Sequence, residues 1–188
     1  MPAPRSVAVP TLLLACLLWP ASETAAQGQR PQKLGEFQSW TAATHAEGGQ
    51  KVCYAFTRAT RSEGVPNRSA NDVLLVVTHR PKGRDQVALQ AGYAYPRSAD
   101  GGDPVQVSVG GTNVGFFTSG SSAFARDNRA ALAALRNGRE AVARGPLPNG
   151  RGQASDTFAL AGFSAAHEAI SRECPASASA PKQGASRR

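Results

Sequence analysis

The three histidines, His45, His79 and His167, are the residues of this chain best suited to acid–base or metal chemistry. No two of them are two, three or four positions apart, so a zinc site would have to be assembled entirely by the fold. His167 lies on the apolar stripe of a predicted helix, which favours a packing role, and His79 ends an apolar run, where it would hydrogen-bond in a loop. We therefore predict no metal site, no cofactor and no catalytic residue.

The serine-rich stretch "TSGSSAFARD", residues 118–127, is the next candidate for chemistry. It lacks the G-x-S-x-G spacing of a nucleophile elbow and has no base beside it, so we interpret it as a hairpin turn. The chain also contains no phosphate-loop or dinucleotide-binding motif. The alternative function is a secreted hydrolase, which would need His45 or His79 to meet an acidic residue and a serine in three dimensions.

A group of basic residues is the strongest sign of a binding surface. If the predicted strands 51–59 and 72–80 pair as a hairpin, these cations collect at one end of the domain and form a candidate site for an anionic glycan or lipid. The alternative is a solvated loop end. The residues of this predicted patch are Arg58, Arg61, Arg80, Lys82 and Arg84, with Arg68 in the same part of the chain.

The whole chain is basic, with a net charge of +8 and an isoelectric point near 10.1. This charge favours contact with anionic surfaces such as phospholipid headgroups, lipopolysaccharide or host glycans. Aromatic residues make up only 6% of the sequence, so it offers few platforms for base stacking. We therefore predict an unidentified envelope or host-surface partner and no nucleic acid.

The first 26 residues predict a cleaved secretory signal. Arg5 provides a positive start, "VAVPTLLLACLLW" an apolar centre, and "PASETAA" a cleavage region that ends at Ala26. The apolar run is too short to span a membrane, and no later segment is long enough. Lipidation of Cys16 within "LLAC" is the alternative. The predicted location is therefore the periplasm, the cell envelope or the exterior.

Signal cleavage would leave two cysteines, Cys53 and Cys174, in an oxidising compartment. An even number of cysteines there favours a disulfide, and only one pairing is available. Two free thiols are the alternative. Neither residue has a C-x-x-C partner or a neighbouring histidine, so a catalytic or metal role is not predicted.

The remaining sequence predicts one β-rich domain over residues 34–174. Apolar residues alternate along eight or nine short segments separated by turn signals, a spacing typical of a sandwich or barrel. Residues 27–33 and 175–188 contain almost no large apolar side chains, so we expect a flexible start and a disordered basic tail. The predicted strands are 37–44, 51–59, 72–80, 86–95, 105–111, 114–120, 122–126, 140–145 and 156–162.

Two helices are predicted among the strands. The first, within "DNRAALAALRNG", begins after Asp127 as its N-cap and ends at Gly138. The second carries Phe163, Ala166, Ile170 and Cys174 on one stripe, so its cysteine should face the core and reach Cys53. We expect Ser164 to cap this helix and Glu168 to lie near its positive end.

Several of these segments, in this order, give the chain a resemblance to the invasion-associated locus B proteins of alphaproteobacteria. The resemblance implies an exported immunoglobulin-like antiparallel β-sandwich with a disulfide at the positions of Cys53 and Cys174. It also implies a cell-envelope protein, linked in some pathogenic members to entry into host erythrocytes, with no enzymatic activity. The segments are "LGEFQSWTA", "KVCYA", "VTHRP", "FFTSGSSAFARD" and "DTFALAGFSAAHEAISREC".

Overall fold

The computed structural model describes residues 30–97 and 101–176, which form eleven strands, two α-helices and a short 3-10 turn. Predicted strands correspond to most of these elements, because the alternation of apolar residues places one face of each strand in the core. The strands are β1 (Gln32–Phe37), β2 (Trp40–Glu47), β3 (Gln50–Arg58), β4 (Arg61–Glu63), β5 (Leu74–Arg80), β6 (Gly83–Gln90), β7 (Val105–Val109), β8 (Thr112–Ser119), β9 (Ser122–Ala125), β10 (Glu140–Pro146) and β11 (Gln153–Ala159).

All strand pairs are antiparallel and form one continuous hydrogen-bonded series, β1-β2-β3-β5-β6-β9-β8-β7-β10-β11-β4. The chain bends between β3 and β4, where neighbouring residues bond to different layers. Ala59 donates to the carbonyl of Val73, the residue before β5, and Thr60 donates to the carbonyl of Thr157 in β11. A strand that changes layer at a bend is how packed sheets form a corner.

One apolar core fills the space between these layers and the helices. Trp40, Leu75, Phe116 and Phe158 are its largest strand residues, and each is at most 1% exposed. Helix α2 contributes Phe163, whose ring centroid lies 4.8 Å from that of Trp40. The predicted fold class is confirmed: the domain is mainly β, with two short helices, the last of them C-terminal.

Helix α1 (Asn128–Asn137) has the predicted ends. The Asp127 carboxylate accepts a hydrogen bond from the Ala130 amide at 3.0 Å, and the amide of Gly138 donates to the last turn. Both contacts satisfy backbone groups that the helix itself leaves unpaired. Its apolar residues Leu132 and Leu135 are buried.

Helix α2 (Phe163–Glu173) packs on β1, β2 and β3. The predicted stripe is confirmed, but the predicted Ser164 cap is wrong because the helix begins at Phe163, two residues before the start that a Ser164 cap would give. Its N-cap is Gly162, at a φ of 91°, and no side chain caps it. Glu168 consequently lies in the second turn, where it is 3.9 Å from Arg172.

The predicted strand 37–44 is two strands, β1 and β2, separated by a turn. Gln38 adopts a φ of 53° there, and the next amide, that of Ser39, donates to the carbonyl of Ala161. A Cβ on Gly162 would approach the carbonyl oxygen of Phe37 to 1.8 Å, so this turn depends on a glycine more than 120 residues away. Long-range packing of this kind leaves no local sequence signal.

β6 and β4 also differ from the prediction. β6 ends at Gln90, five residues early, because Gly92 takes a φ of 71° and turns the chain. β4 was not predicted, since a three-residue strand is too short for alternation to be visible.

No helix within residues 30–97 and 101–176 is long and apolar enough to cross a membrane. The predicted signal at residues 1–26, Cys16 and most of the predicted tail lie outside the described residues.

Candidate functional site

The predicted basic patch is divided by the strand register. β3 and β5 do pair, but they are antiparallel, with Cys53 opposite His79 and Arg58 opposite Leu74. Six residue steps along β5, roughly 20 Å, therefore separate Arg58 from Arg80 at the end of that strand. The prediction that all the cations collect at one end is wrong.

At the far end of β3, the arginines have separate surroundings. Arg58 donates to the carbonyl of Asn71, and Arg61 is exposed on β4 opposite Thr157. Arg68 is removed from the surface altogether, since its side chain is 3% exposed and pairs with Asp156 at 2.6 Å. These residues do not form a common surface with the second half of the predicted patch.

Arg80, Lys82 and Arg84 remain together in the β5–β6 turn region, beside a depression of about 230 Å³. Its lining includes three cations, Lys51, Arg80 and Arg84, and one anion, Glu173. The other lining residues are His79, Pro81, Cys174 and Pro175. The depression is therefore positively charged, and it lies next to the disulfide.

Contacts with neighbouring groups hold these cations in place. Arg80 donates to Glu47 and to Gln86, each at 2.9 Å, and Lys51 pairs with Glu173 at 2.6 Å. These are exposed pairs, which contribute little stability and leave the cations hydrated. Their effect is to orient long side chains around the depression.

Arg84 links the depression to the end of α2 by donating to the carbonyl of Cys174. A carbonyl at a helix C-terminus carries partial negative charge, so this contact is electrostatically favourable. The disulfide Cys53–Cys174 fixes the same helix end to β3, with 6.0 Å between the two Cα atoms. This predicted disulfide is confirmed, and Cys53 faces the helix, as the alternation along β3 indicates.

Behind the depression, two histidines meet on one carboxylate. The Nε2 atoms of His79 and His167 lie 2.9 Å and 2.8 Å from Oδ1 of Asp85. Both histidines are buried, whereas the Asp85 side chain is 39% exposed. The cluster joins β5, β6 and α2, so it attaches the helix to the sheet at a second point, in addition to the disulfide.

A β-bulge brings Asp85 to this position. The β5–β6 register shifts between Thr78 and Arg80, and Asp85 has a φ of 59°, which few residues other than glycine adopt. Bulges redirect side chains at the edge of a sheet. Here the bulge presents the Asp85 carboxylate to two rings at once.

The contacts around the rings set their protonation. Arg136 lies 3.3 Å from Nδ1 of His167 and can only donate, so that nitrogen accepts and Nε2 carries the proton. Burial lowers the pKa of His79, an effect that its hydrogen bond with Asp85 only partly offsets. Burial raises the pKa of Asp85, but the hydrogen bonds from His167 and His79 outweigh it and hold that pKa below its usual value.

Sequence reasoning missed this cluster. The segment "HRPKGRD" contained part of the signal, because a tight hairpin would place Asp85 near His79. The third member, His167, is 82 residues from Asp85 and arrives only when α2 docks. Its packing against Phe163, at 5.8 Å between centroids, agrees with the predicted packing role but is not its whole environment.

The hydrolase alternative requires a histidine, an acid and a serine together. His79 meets an acid, but among the described residues no serine hydrogen-bonds to His79 or His167. His45 lies apart from them and packs edge-on against Tyr54. The described contacts supply no nucleophile for that mechanism.

Two comparisons, one with family models and one with solved structures, identify known proteins that are similar to this chain. A family model described as invasion associated locus B protein matches residues 40–171. A solved structure, the crystal structure of invasion associated protein B from Bartonella henselae, is 21% identical, covers 74% of this chain and 95% of that chain, and has a TM-score of 0.49. No curated protein matches the chain significantly in sequence.

Proposed function

This chain belongs to the invasion associated locus B family, and from that premise we propose that it is an exported, non-enzymatic binding protein of the cell envelope. Its ligand is an anionic component of the envelope or of a host surface, with phosphate or carboxylate groups. The supporting observation is the positively charged depression beside the disulfide, lined by Lys51, Arg80 and Arg84.

Electrostatics determine how this surface would act. The lining carries three cations and the anion Glu173, and Glu47 pairs with Arg80, so one net positive charge remains. That charge attracts anionic groups and raises the association rate. The side chains are already oriented by Glu47, Gln86 and Glu173, so binding would order them little further. Because these cations are exposed, their contribution to ligand binding should fall as the salt concentration is raised and the Debye length shortens.

The test compares two charge-matched triple variants. Arg80→Glu and Arg84→Glu reverse two of the three cations that line the depression, and Lys82→Glu reverses a further cation in the adjoining turn. The other set, Arg61→Glu, Arg144→Glu and Arg151→Glu, reverses three exposed arginines elsewhere. Each set of three reversals changes the charge by six units, from +8 to +2. Binding is measured by flotation with phosphatidylglycerol vesicles and, in a separate arm, with immobilised heparin.

We expect the depression variant to lose at least about tenfold in affinity in one of the two arms, with the other variant close to wild type. Equal loss in both variants would mean that net charge alone drives binding, and it would refute a local site. Absence of wild-type binding in both arms would refute the anionic ligand. A thermal melt of each variant controls for folding, since Arg84 also contacts the end of α2.

Location is tested separately by protease treatment of intact and osmotically opened cells. We expect the protein in the envelope or medium, and never in the cytosolic fraction. Digestion on intact cells would direct the search for a ligand to host or matrix components. Protection until opening would direct it to an internal envelope component.

A further inference from the structure

The cluster of His79, Asp85 and His167 plays no part in the proposed binding function, but its residue types are those of a metal site. Its three candidate donor atoms, two imidazole nitrogens and a carboxylate oxygen, lie within 4.8 Å of one another. They come from three different elements, β5, β6 and α2. Their convergence on one point therefore depends on the completed fold.

We propose that this cluster is a binding site for a divalent transition-metal ion, with Zn²⁺ as the best match. Two histidines and one carboxylate are a donor set that suits borderline metals such as zinc, and they leave a fourth position open. The half-exposed Asp85 carboxylate gives the ion access from solvent, while the buried rings of His79 and His167 are held in place.

The distances bring the three donor atoms near the spacing that one ion requires, but not yet to it. Tetrahedral zinc with ligands near 2.1 Å separates neighbouring donor atoms by about 3.3 Å. The present separations of 2.8 Å and 2.9 Å are those of direct hydrogen bonds to Asp85, so the donors must spread by roughly half an ångström. Asp85 can supply that movement because its side chain is partly in solvent. The two imidazole nitrogens, which lie within 4.8 Å of each other, must also approach one another toward about 3.3 Å.

The contacts behind the rings predict a weak site. A histidine that binds metal through Nε2 carries its proton on Nδ1 and normally donates it to an acceptor. Nδ1 of His79 is buried with no partner among the described residues, and Nδ1 of His167 faces the donor Arg136. We therefore expect an affinity about 10- to 100-fold lower than that of zinc sites with complete outer contacts.

Arg136 consequently controls the affinity. It belongs to the exposed end of α1, so it can swing away from His167 when an ion binds. Arg136→Gln would replace a cation by an amide whose oxygen can accept the Nδ1 proton. We expect this variant to bind zinc about tenfold more tightly than the wild type.

The experiment is a calorimetric titration of the disulfide-bonded protein with ZnCl₂, with MgCl₂ as the control ion. We expect one zinc site, weakened at least about tenfold by Asp85→Asn or His167→Gln and unchanged by His45→Gln. His45→Gln is the matched control, because His45 is the one histidine outside the cluster. Thermal melts without metal verify that each variant is folded.

A variant-free measurement covers the case in which a substitution disrupts folding. In ¹⁵N-histidine NMR spectra of the wild type, zinc should shift the ring nitrogens of His79 and His167 and leave those of His45 in place. Absence of zinc binding, binding that His167→Gln does not weaken, or shifts confined to His45 would each overturn the proposal.

Discussion

At the scale of single residues, Arg68 shows how one charged side chain can organise a loop. Its guanidinium donates to Asp156 at 2.6 Å and to the carbonyl of Ala91 at 2.8 Å, and it lies over the ring of Tyr93 at 5.2 Å. Asp156 also accepts from Ser62 at 2.6 Å. Arg68 therefore ties the loop before β5 to β11 and to the segment after β6.

Arg68→Met should destabilise the domain by about 3–5 kcal/mol, because it leaves the buried carboxylate of Asp156 without its counter-charge. Urea denaturation gives the free energy of unfolding. The control is Arg61→Met, an exposed position at which a change within about 0.5 kcal/mol is expected. A cost at Arg68 no larger than at Arg61 would show that the pair is unimportant for folding.

The burial of the Tyr93 side chain predicts that the domain loses stability at alkaline pH. Burial raises its pKa to about 12, with the charge of Asp156 adding to the effect, and its hydroxyl donates to the carbonyl of Pro146 at 2.8 Å. A group whose folded pKa exceeds its unfolded value of about 10 stabilises the protein below that pH and loses the contribution as pH rises toward the folded pKa.

The urea midpoint of the wild type should therefore fall between about pH 10 and about pH 12. Tyr93→Phe removes this titration, so its midpoint should start lower, through the lost hydrogen bond, but decline less steeply. Burial also raises the pKa of Tyr95, so some slope will remain in the variant. Identical slopes in the two proteins would refute the assignment to Tyr93.

At the scale of elements, helix α2 is held to the sheet by three different kinds of contact. Phe163 and Ile170 pack in the core, the His79, Asp85 and His167 cluster bonds its middle, and the disulfide holds its end. The depression is formed at that end. The position of α2 therefore decides the shape of the proposed binding surface.

Removing the disulfide should lower the free energy of unfolding by about 4–5 kcal/mol in the chain-entropy model, since it closes a loop with a sequence separation of 121. Cys53→Ala with Cys174→Ala tests this without leaving a lone thiol. Urea denaturation of the double variant is compared with that of the oxidised and the reduced wild type. Matching stability in all three would show that packing alone holds the helix.

Local patterns in the sequence were sufficient for α1, for the stripe of α2 and for the strands with clear alternation. They failed where the cause is distant in sequence. The turn at Gln38 follows from its contact with the segment around Gly162, and the early start of α2 leaves Ser164 inside the helix. These features depend on packing between elements, which no window of neighbouring residues contains.

The candidate sites illustrate the same limit at the scale of the whole molecule. Sequence proximity suggested that Arg58 and Arg80 share a surface, but antiparallel pairing separates them. Conversely, Asp85 and His167 are 82 residues apart and lie within hydrogen-bond distance. Residue types predicted the chemistry available to the chain, whereas the topology decided which residues meet.

At the scale of the whole molecule, the cysteine count offers a test of the proposed export together with the oxidation state. The predicted cleavage after Ala26 would remove Cys16 and leave Cys53 and Cys174, which form the disulfide. The protein isolated from cells should therefore begin at Gln27. It should bind no thiol reagent before reduction and two equivalents after it, as measured by intact mass with alkylation under denaturing conditions.

Each of the other possible results would contradict a specific part of this prediction. One alkylated thiol before reduction and three after it would mean that residues 1–26 are retained with Cys16 free. A mass increase from acyl chains on a chain that begins at Cys16 would show lipidation. Two alkylated thiols without reduction would mean that the disulfide does not form in the cell. In that case, the end of α2 and the depression beside it would lose the covalent link that positions them, and the proposed ligand surface would have to be sought elsewhere.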